Sequence, residues 1–129
     1  MEGELICLDT NYLILGLARG SKEASRLIAW ARAGEVLIAP SVVWYEFLCG
    51  PVSTPQISVA RAFLREIVGV DEACANEAAR LFNAVGRPRR LRMDALIAGT
   101  AVARNAVLAT GNRVDFEPFA GHGLQLLPE

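Results

Sequence analysis

The sequence predicts an α/β fold built on a five-stranded, mainly parallel sheet. Short runs rich in Leu, Ile and Val recur along the chain, and segments with helical periodicity lie between them. Strands that alternate with helices pair in parallel, because each helix carries the chain back across the sheet before the next strand begins. Hydrophobic residues make up 53% of the 129 residues, which suits a sheet covered by helices on both faces.

The candidate elements follow one another along the whole chain. Five apolar runs are predicted as strands, at residues 5–8, 36–39, 67–70, 107–109 and 124–127. Two sets of residues keep helical spacing, namely Ala24, Leu27, Ile28 and Ala31, and then Cys74, Ala78, Leu81, Phe82 and Val85. No repeat or linker divides the chain, so we expect a single domain over residues 1–129.

Local signals mark the ends of some of these elements. Ser41 is predicted to cap a helix over residues 42–49, and Asp71 is predicted to cap the helix that follows it. Residues 50–58 contain Pro, Ser and Thr and are predicted as a loop. A second, basic loop is predicted at residues 86–90.

Charge and cysteine content argue against several classes of protein. The uncharged apolar stretches fall far below the roughly 20 residues of a membrane span. The first four residues carry two acids and lack the basic segment of a secretory signal, so we expect a cytoplasmic protein. Cys7, Cys49 and Cys74 are odd in number with apolar neighbours, which predicts buried, reduced thiols. The net charge of -1 argues against nucleic-acid binding through overall positive charge.

Four acids stand out because each lies in or beside an apolar segment. Asp9 ends the first predicted strand, and Glu46 is the only charged residue between positions 36 and 60. Asp94 lies in the first turn of an otherwise uncharged helix, where the helix dipole favours an anion. Asp115 follows the fourth strand and a turn. A carboxylate in apolar surroundings loses hydration and needs compensation.

The predicted sheet brings these acids towards one edge. In an open parallel sheet, ligands bind in the crevice at the carboxyl ends of the strands, where we expect Asp9, Thr110 and Asn112. Carboxylates that meet in one place repel each other unless a cation neutralises them. Oxygen ligands select Mg²⁺ or Mn²⁺ over zinc. The pattern therefore predicts a divalent metal site.

Three of the acids also have ordinary structural explanations. Taken alone, Asp9 is equally well explained as the N-cap of a helix that begins near Asn11. Asp94 is an unexceptional first-turn acid, and Asp115 can be a solvated acid in a turn. Glu46 is harder to explain, because no basic residue lies near it in sequence. The joint pattern favours the functional interpretation.

Four short motifs carry these acids, namely CLDTN at 7–11, WYE at 44–46, MDALIA at 93–98 and TGNRVDF at 110–116. In this order and spacing the motifs resemble the PIN-domain family, closely its VapC toxin branch, over nearly the whole chain. The resemblance implies a PIN-like three-layer α/β/α fold. Many relatives have Ala-Ala or Ala-Thr after the Leu-Ile-Ala run, whereas this chain has Gly99 and Thr100. That departure does not touch the acids.

The resemblance implies a metal-dependent endoribonuclease that serves as the toxin of a toxin–antitoxin pair. It assigns Asp9 and Asp94 as the chief ligands of Mg²⁺ or Mn²⁺, with Glu46 and Asp115 binding directly or through water. An acid replaces Asn112 in some relatives, which leaves the fourth ligand open. The implied supporting hydrogen-bond partners are Thr10, Asn11, Thr110 and Asn112. The implied partners are an RNA substrate, a second copy of the chain in a homodimer, and an antitoxin that occupies the groove.

A basic cluster lies immediately before Asp94. Its members are Arg87, Arg89, Arg90 and Arg92. We expect this cluster to contact the phosphates of an RNA strand. A solvated loop and a docking site for the tail of the antitoxin are the alternatives. The single histidine, His122, is predicted to lie in a loop without a catalytic role.

Two other functions suit a small α/β protein with an acidic pocket. A phosphate-accepting receiver domain needs a lysine beside the pocket, and the single lysine, Lys22, lies among polar residues before a helix. A catalytically inactive PIN-like scaffold that serves as a protein or RNA interaction module is the stronger alternative. The presence of all four acids argues against such a loss of activity.

Overall fold

The computed structural model of the protein describes residues 4–128, and within them five strands alternate with seven α-helices and one short 3₁₀ turn. The strands are β1 (Leu5–Leu8), β2 (Val36–Pro40), β3 (Glu66–Val68), β4 (Val107–Ala109) and β5 (Gln125–Leu126). The helices are α1 (Thr10–Leu15), α2 (Lys22–Arg32), α3 (Ser41–Leu48), α4 (Thr54–Phe63), α5 (Glu72–Ala84), α6 (Arg92–Ala103) and α7 (Arg113–Ala120), and the 3₁₀ turn is Arg89–Leu91.

The strands form one sheet in the order β3-β2-β1-β4-β5, and every neighbouring pair is parallel. The predicted α/β fold with a five-stranded parallel sheet is confirmed. From β1 the chain first builds the half of the sheet with β2 and β3, and later the half with β4 and β5. The topological switch point therefore lies between β1 and β4, and Leu8 pairs with Ala109 at their carboxyl ends.

The central strand is buried on both faces, as the three-layer α/β/α arrangement requires. Ile6, Cys7 and Leu8 of β1 are at most 1% exposed. The two edge strands are shorter than predicted: β3 is Glu66–Val68 against the predicted 67–70, and β5 is Gln125–Leu126 against 124–127. Each edge strand has a partner on one side only, so its ends leave the hydrogen-bonded ladder sooner.

Helix α6 is apolar on most of its circumference because it packs on both the sheet and α5. Its residues from Ile97 to Ala101 are all buried. A Cβ atom at Gly99 would lie 2.4 Å from the backbone nitrogen of Ala78 on α5. Gly99 therefore allows the two helix backbones to approach closely, which explains the glycine that departs from the PIN-family pattern.

The predicted starts of two helices are wrong. Ser41 does not cap α3 but is its first residue, because β2 runs directly into the helix and Pro40 takes the N-cap position without a side-chain hydrogen bond. Residues 50–58 are not all loop, since α4 begins at Thr54. Ser53 and Gln56 form a capping box there, and a proline in the first turn favours a helix start. The predicted cap of α5 by Asp71 is confirmed, because its side chain accepts from the N–H of Cys74.

The three cysteines are free, and two of them have the predicted surroundings. Cys7 and Cys74 are buried, whereas Cys49 is exposed, so the prediction that all three are buried is wrong. Cys49 is the C-cap of α3, past the last turn that the core covers. In the part of the chain that the structure describes, no helix has the length and apolar composition to cross a membrane.

Candidate active site

Asp9 lies where β1 ends and α1 begins, beside the switch point of the sheet, and it is 4% exposed. The backbone N–H of Tyr12 donates to Asp9 Oδ1 at 2.8 Å, and the hydroxyl of Thr110 donates to Oδ2. Burial raises the pKa of Asp9, the two hydrogen bonds oppose this rise, and the Glu46 charge adds to it. Asp9 is therefore both the N-cap of α1 and a carboxylate held in one orientation at the crevice.

Asp94 lies in the first turn of α6 and is partly buried. Burial raises the pKa of Asp94 from 3.8 to about 6, and the charges of Asp115, Asp9 and Glu46 contribute to this rise. The positive charge of Arg90 opposes it. Three acids raise the pKa of Asp94 and one arginine lowers it, so negative charge exceeds positive charge around this carboxyl group.

Glu46 projects from α3 and is partly buried. The hydroxyl of Thr10, the first residue of α1, donates to Glu46 Oε1 at 2.5 Å. Among the ion pairs formed by residues 4–128, none includes Glu46. Glu46, which has no basic neighbour in sequence, thus has no ion-pair partner among the described residues, and the Thr10 hydroxyl donates to its carboxylate instead.

Asp115 differs from the other three acids because, among the described residues, it alone of the four forms an ion pair with an arginine. Arg90 Nη1 donates to Oδ1 at 2.7 Å, and Asn112 Nδ2 donates to Oδ2 at 2.9 Å. The hydrogen bond from Asn112, followed by the bond and charge of Arg90, lowers the pKa of Asp115. Asp115 lies in the first turn of α7, and its side chain is 29% exposed.

A pocket of about 190 Å³ opens at the carboxyl ends of β1 and β4. Its lining consists of Asp9, Thr10, Asn11, Glu46, Met93, Asp94, Ile97, Asn112 and Phe116. Three of the four candidate acids line it, together with three of the candidate supporting residues. Asp115 does not, and Thr110 reaches the pocket only through its hydrogen bond to Asp9.

Sequence reasoning missed the three apolar residues of the lining, namely Met93, Ile97 and Phe116. Ile97 and Phe116 are 2% and 1% exposed, so by composition they are ordinary core residues. Helical spacing gives the one usable signal, because Ile97 follows Asp94 by three positions and shares its face of α6. These side chains form an apolar wall behind the carboxylates, where electrostatic interactions are stronger than in water.

The donor set of the pocket fits a hard divalent cation. Carboxylate oxygens are the ligands that Mg²⁺ and Mn²⁺ prefer. The pKa of Asp94 is raised first by burial and then by the charges of Asp115, Asp9 and Glu46, and a bound cation would oppose both effects. In the stretch from residue 4 to residue 128, no three His, Cys, Asp or Glu side chains are grouped closely enough to hold an ion by themselves. Mg²⁺ keeps several waters and takes one or two protein carboxylates, so its binding does not require such a group.

The basic cluster divides into members with different surroundings. Arg90 contacts Asp115, whereas Arg87 Nε donates to Asn83 Oδ1 on α5 at 2.9 Å. The guanidinium of Arg92 lies over the ring of Phe82, 6.0 Å from its centroid. The predicted loop at residues 86–90 ends in the 3₁₀ turn Arg89–Leu91, which leads directly into α6. His122 lies in the turn after α7, as predicted.

A family model described as PIN domain matches residues 6–120, which is most of the chain. This protein belongs to the PIN-domain family. The predicted resemblance is confirmed, and all four candidate acids of the PIN domain fall within the match.

Several solved structures share the fold of this PIN domain. VapBC2 from Rickettsia felis, bound to a DNA fragment from its promoter, has a TM-score of 0.74 and 20% identity, covering 95% of this chain and 97% of that chain. DNA-bound VapBC from Salmonella typhimurium has a TM-score of 0.70 and 20% identity, covering 98% of each chain. A toxin–antitoxin complex from Klebsiella pneumoniae has a TM-score of 0.67 and 25% identity, covering 86% and 89%. No curated protein matches the sequence.

Proposed function

We propose that this PIN domain is a metal-dependent endoribonuclease of the VapC type, the toxin of a type II toxin–antitoxin pair. It hydrolyses RNA phosphodiester bonds with Mg²⁺ or Mn²⁺ held by Asp9, Glu46, Asp94 and Asp115. The observation that carries the proposal is the pocket at the switch point of the sheet, where three carboxylates face one space beside an apolar wall. Family membership supports a nuclease, and the partly buried, uncompensated charges support a bound cation.

In this proposal three of the four carboxylates, those of Asp9, Glu46 and Asp115, are positioned by hydrogen bonds before the cation binds. Asp9 and Asp94 are the chief ligands, and the Thr110 hydroxyl and the Tyr12 N–H keep Asp9 from turning away. Glu46, held by Thr10, and Asp115 act directly or through water. A bound divalent ion lowers the pKa of a coordinated water and stabilises negative charge on the phosphate.

RNA enters this proposal through the mouth of the pocket. The negatively charged backbone needs local positive charge, and the basic cluster provides it beside Asp94 although the net charge of the chain is -1. Arg90 is the member that contacts Asp115, the candidate acid beside the pocket. Asn11 and Asn112, which both line the pocket, are available to bind the strand or a coordinated water.

The toxin role requires an antitoxin, and the surface of the chain offers places for protein partners. Ala31, Val59, Ala62 and Phe63 line an apolar groove of about 320 Å³ between α2 and α4, and Val59 is 48% exposed. Exposed apolar surface of this kind marks protein-binding sites. The similarity to VapBC and toxin–antitoxin complexes supports the antitoxin as a partner.

A homodimer is also part of the proposal. Helix α3 presents Tyr45 and Leu48 to solvent at 65% and 43% exposure, on the side opposite its buried Val43 and Phe47. A helix with two large apolar side chains on its outer face is a candidate contact between two copies. Measuring the mass of the isolated chain in solution, for wild type and for Tyr45→Glu, checks this part separately.

A catalytically inactive interaction module is the alternative function. Two observations favour it, namely the engagement of Asp115 by Arg90 and the absence, among residues 4–128, of three side chains grouped as a ready ligand set. An inactive module would bind RNA or protein without cleaving RNA, and it would not depend on a divalent ion.

Cleavage of labelled single-stranded RNA, with and without Mn²⁺, tests the proposal. We expect cleavage only with Mg²⁺ or Mn²⁺, reversible inhibition by EDTA, and loss of cleavage in Glu46→Gln, which keeps the shape of the side chain. Glu117→Gln is the matched control, because Glu117 is an exposed acid of α7 that does not line the pocket. Cleavage that continues unchanged in EDTA, or in Glu46→Gln, would contradict the proposal.

A further inference from the structure

Arg90 and Asp115 form an ion pair beside the acidic pocket, between the 3₁₀ turn and α7. Arg90 Nη1 lies 2.7 Å from Asp115 Oδ1, and the two side chains are 67% and 29% exposed. A pair so open to solvent contributes little to folding stability and separates easily. Its position therefore matters more for the site than for the fold.

We propose that Arg90 receives a phosphate of the RNA strand at the edge of the pocket, and that Asp115 holds the guanidinium in place until the phosphate replaces it. The exchange releases the Asp115 carboxylate towards the metal-binding pocket. This inference rests on the proposed function and deepens it, because it makes completion of the site depend on the substrate.

The contacts of the basic cluster single out Arg90. Arg87 is bonded to Asn83 on α5, and Arg92 lies over the ring of Phe82, so both are directed at that helix. Arg89 is exposed, and it takes part in none of the side-chain hydrogen bonds or ion pairs formed by residues 4–128. Only Arg90 of these four residues is bonded, within the described chain, to a candidate acid of the site.

The chemistry of the pair favours exchange for a phosphate. A guanidinium has five N–H donors in a planar fork that matches a phosphate through two parallel hydrogen bonds. Asp115 accepts only through Oδ1 from Nη1 of Arg90, so most of the fork is left for another acceptor. A phosphodiester of the RNA backbone supplies the charge and the oxygens to take it.

After the exchange Asp115 still has a partner that keeps it near the site. Asn112 Nδ2 donates to Asp115 Oδ2 at 2.9 Å, and the N–H of Asn112 donates to Thr110 Oγ1 at 2.8 Å. The Thr110 hydroxyl in turn donates to Asp9. Asp115 is thus linked through two residues to the central carboxylate, and its released Oδ1 adds negative charge beside the pocket.

This arrangement couples RNA binding to metal binding. RNA that engages Arg90 leaves the pocket more negative and so strengthens its attraction for a divalent cation. By thermodynamic reciprocity, the cation that attracts Asp115 also makes Arg90 available to RNA. Arg90 is therefore a positioning residue for the substrate, and it lowers the affinity of the pocket for the metal when no substrate is present.

The test measures Mn²⁺ affinity by electron paramagnetic resonance in protein without RNA. Arg90→Gln should bind Mn²⁺ about fivefold more tightly than wild type, at the low end of measured coupling. Arg89→Gln removes the same charge from the neighbouring position and should change the affinity by less than about twofold, because solvent screens it. When Asp115 is already Asn, the further substitution Arg90→Gln should change the Mn²⁺ affinity by no more than Arg89→Gln does, that is, by less than about twofold.

A second measurement follows binding of a fluorescein-labelled single-stranded oligoribonucleotide in EDTA by anisotropy across a salt titration. Arg90→Gln should weaken binding and lower the slope of log K against log[salt] by about one. Arg90→Lys should keep the slope but not the full affinity. Asp115→Asn should tighten binding more than its matched control Glu117→Gln, because only Asp115 occupies Arg90.

The outcomes separate this inference from the proposed function. Equal losses of RNA affinity in Arg90→Gln and Arg89→Gln would overturn the specific phosphate contact. Unchanged Mn²⁺ affinity in Arg90→Gln would overturn the exchange. So would an increase in Mn²⁺ affinity that Arg90→Gln produces equally with Asp115 and with Asn at position 115. Wild-type protein that binds no Mn²⁺ would overturn both the exchange and the nuclease, while a specific loss of RNA binding in Arg90→Gln would still support the phosphate contact.

Discussion

Replacing Asp94 with Asn should stabilise the metal-free protein at neutral pH. The substitution keeps the size and shape of the side chain and removes a charge that burial and the neighbouring acids Asp115, Asp9 and Glu46 disfavour. The amide needs no cation to neutralise it. The folded state therefore loses an unfavourable interaction that the unfolded chain does not have.

The pKa of Asp94 sets the size of this effect. A rise from 3.8 to about 6 corresponds to a ceiling of about 3 kcal/mol of destabilisation. Asp94 is only partly buried, so solvent screening reduces the expected gain to about 1 to 1.5 kcal/mol. For a domain of this size that gain corresponds to a rise in melting temperature of about 4 to 6 °C.

The effect has a defined dependence on pH. Between pH 3.8 and about 6 the folded wild type binds more protons than the unfolded chain, so its stability falls as the pH rises through this range. The Asp94→Asn variant has no carboxyl group at this position, so its stability does not fall in this way as the pH rises. The advantage of the variant should be complete above about pH 6 and absent near pH 4, where the wild-type carboxyl is protonated in the folded state.

Urea or thermal unfolding in EDTA at pH 4 and pH 7.5 measures the difference. Asp71→Asn serves as a control of opposite sign, because the backbone N–H of Cys74 lowers the pKa of Asp71 and its charge therefore favours folding at neutral pH. Destabilisation by Asp94→Asn at pH 7.5, or a gain that is the same at both pH values, would refute the reasoning.

Three further substitutions test other parts of the structure. Glu46→Gln should unfold in metal-free buffer at no lower urea concentration than wild type, because no ion pair in residues 4–128 includes this charge; a large loss of stability would indicate a structural ion pair. Thr110→Val should destabilise the protein by about 1 to 3 kcal/mol by removing a donor from buried Asp9, and unchanged stability would mean that the hydrogen bond is absent in solution. Gly99→Ala should cost about 1 to 3 kcal/mol in spite of the better helix propensity of alanine, because its Cβ would meet the backbone of Ala78; a stabilised variant would contradict this packing.

The sheet and most helices were predictable from the sequence, because burial and periodicity leave a direct pattern in it. The uninterrupted apolar run of β1 indicates a strand covered on both faces, and Asp71 caps α5 as its position predicts. The start of α4 was missed because Pro55 resembles a helix breaker, although a proline in the first turn favours a helix. The start of α4 depends on the capping box of Ser53 and Gln56, and a loop prediction based on composition does not consider it.

The candidate acids could be selected from the sequence for a different reason, since a lone charge in an apolar segment is visible without any structure, and three of the four line the pocket. The side chains that form hydrogen bonds and ion pairs with these acids could not be predicted from the sequence. The contact between Arg90 and Asp115 joins residues 25 positions apart, and the bond from Thr110 to Asp9 spans 101 positions. Ile97 and Phe116 could not be distinguished from core residues, because they are buried in the wall of the pocket.

One paired measurement tests whether a divalent cation binds the pocket and enables cleavage. Melting curves with and without Mn²⁺ are recorded beside cleavage of single-stranded RNA, for wild type and Asp94→Asn. Mn²⁺ should raise the wild-type melting temperature as RT ln(1 + [L]/Kd), about 2.7 kcal/mol at a hundred times Kd, and should enable cleavage that EDTA stops. Asp94→Asn should lose both responses together. If Mn²⁺ neither stabilises the wild type nor enables cleavage of any RNA tested, the acids form no working site and the protein is an interaction module.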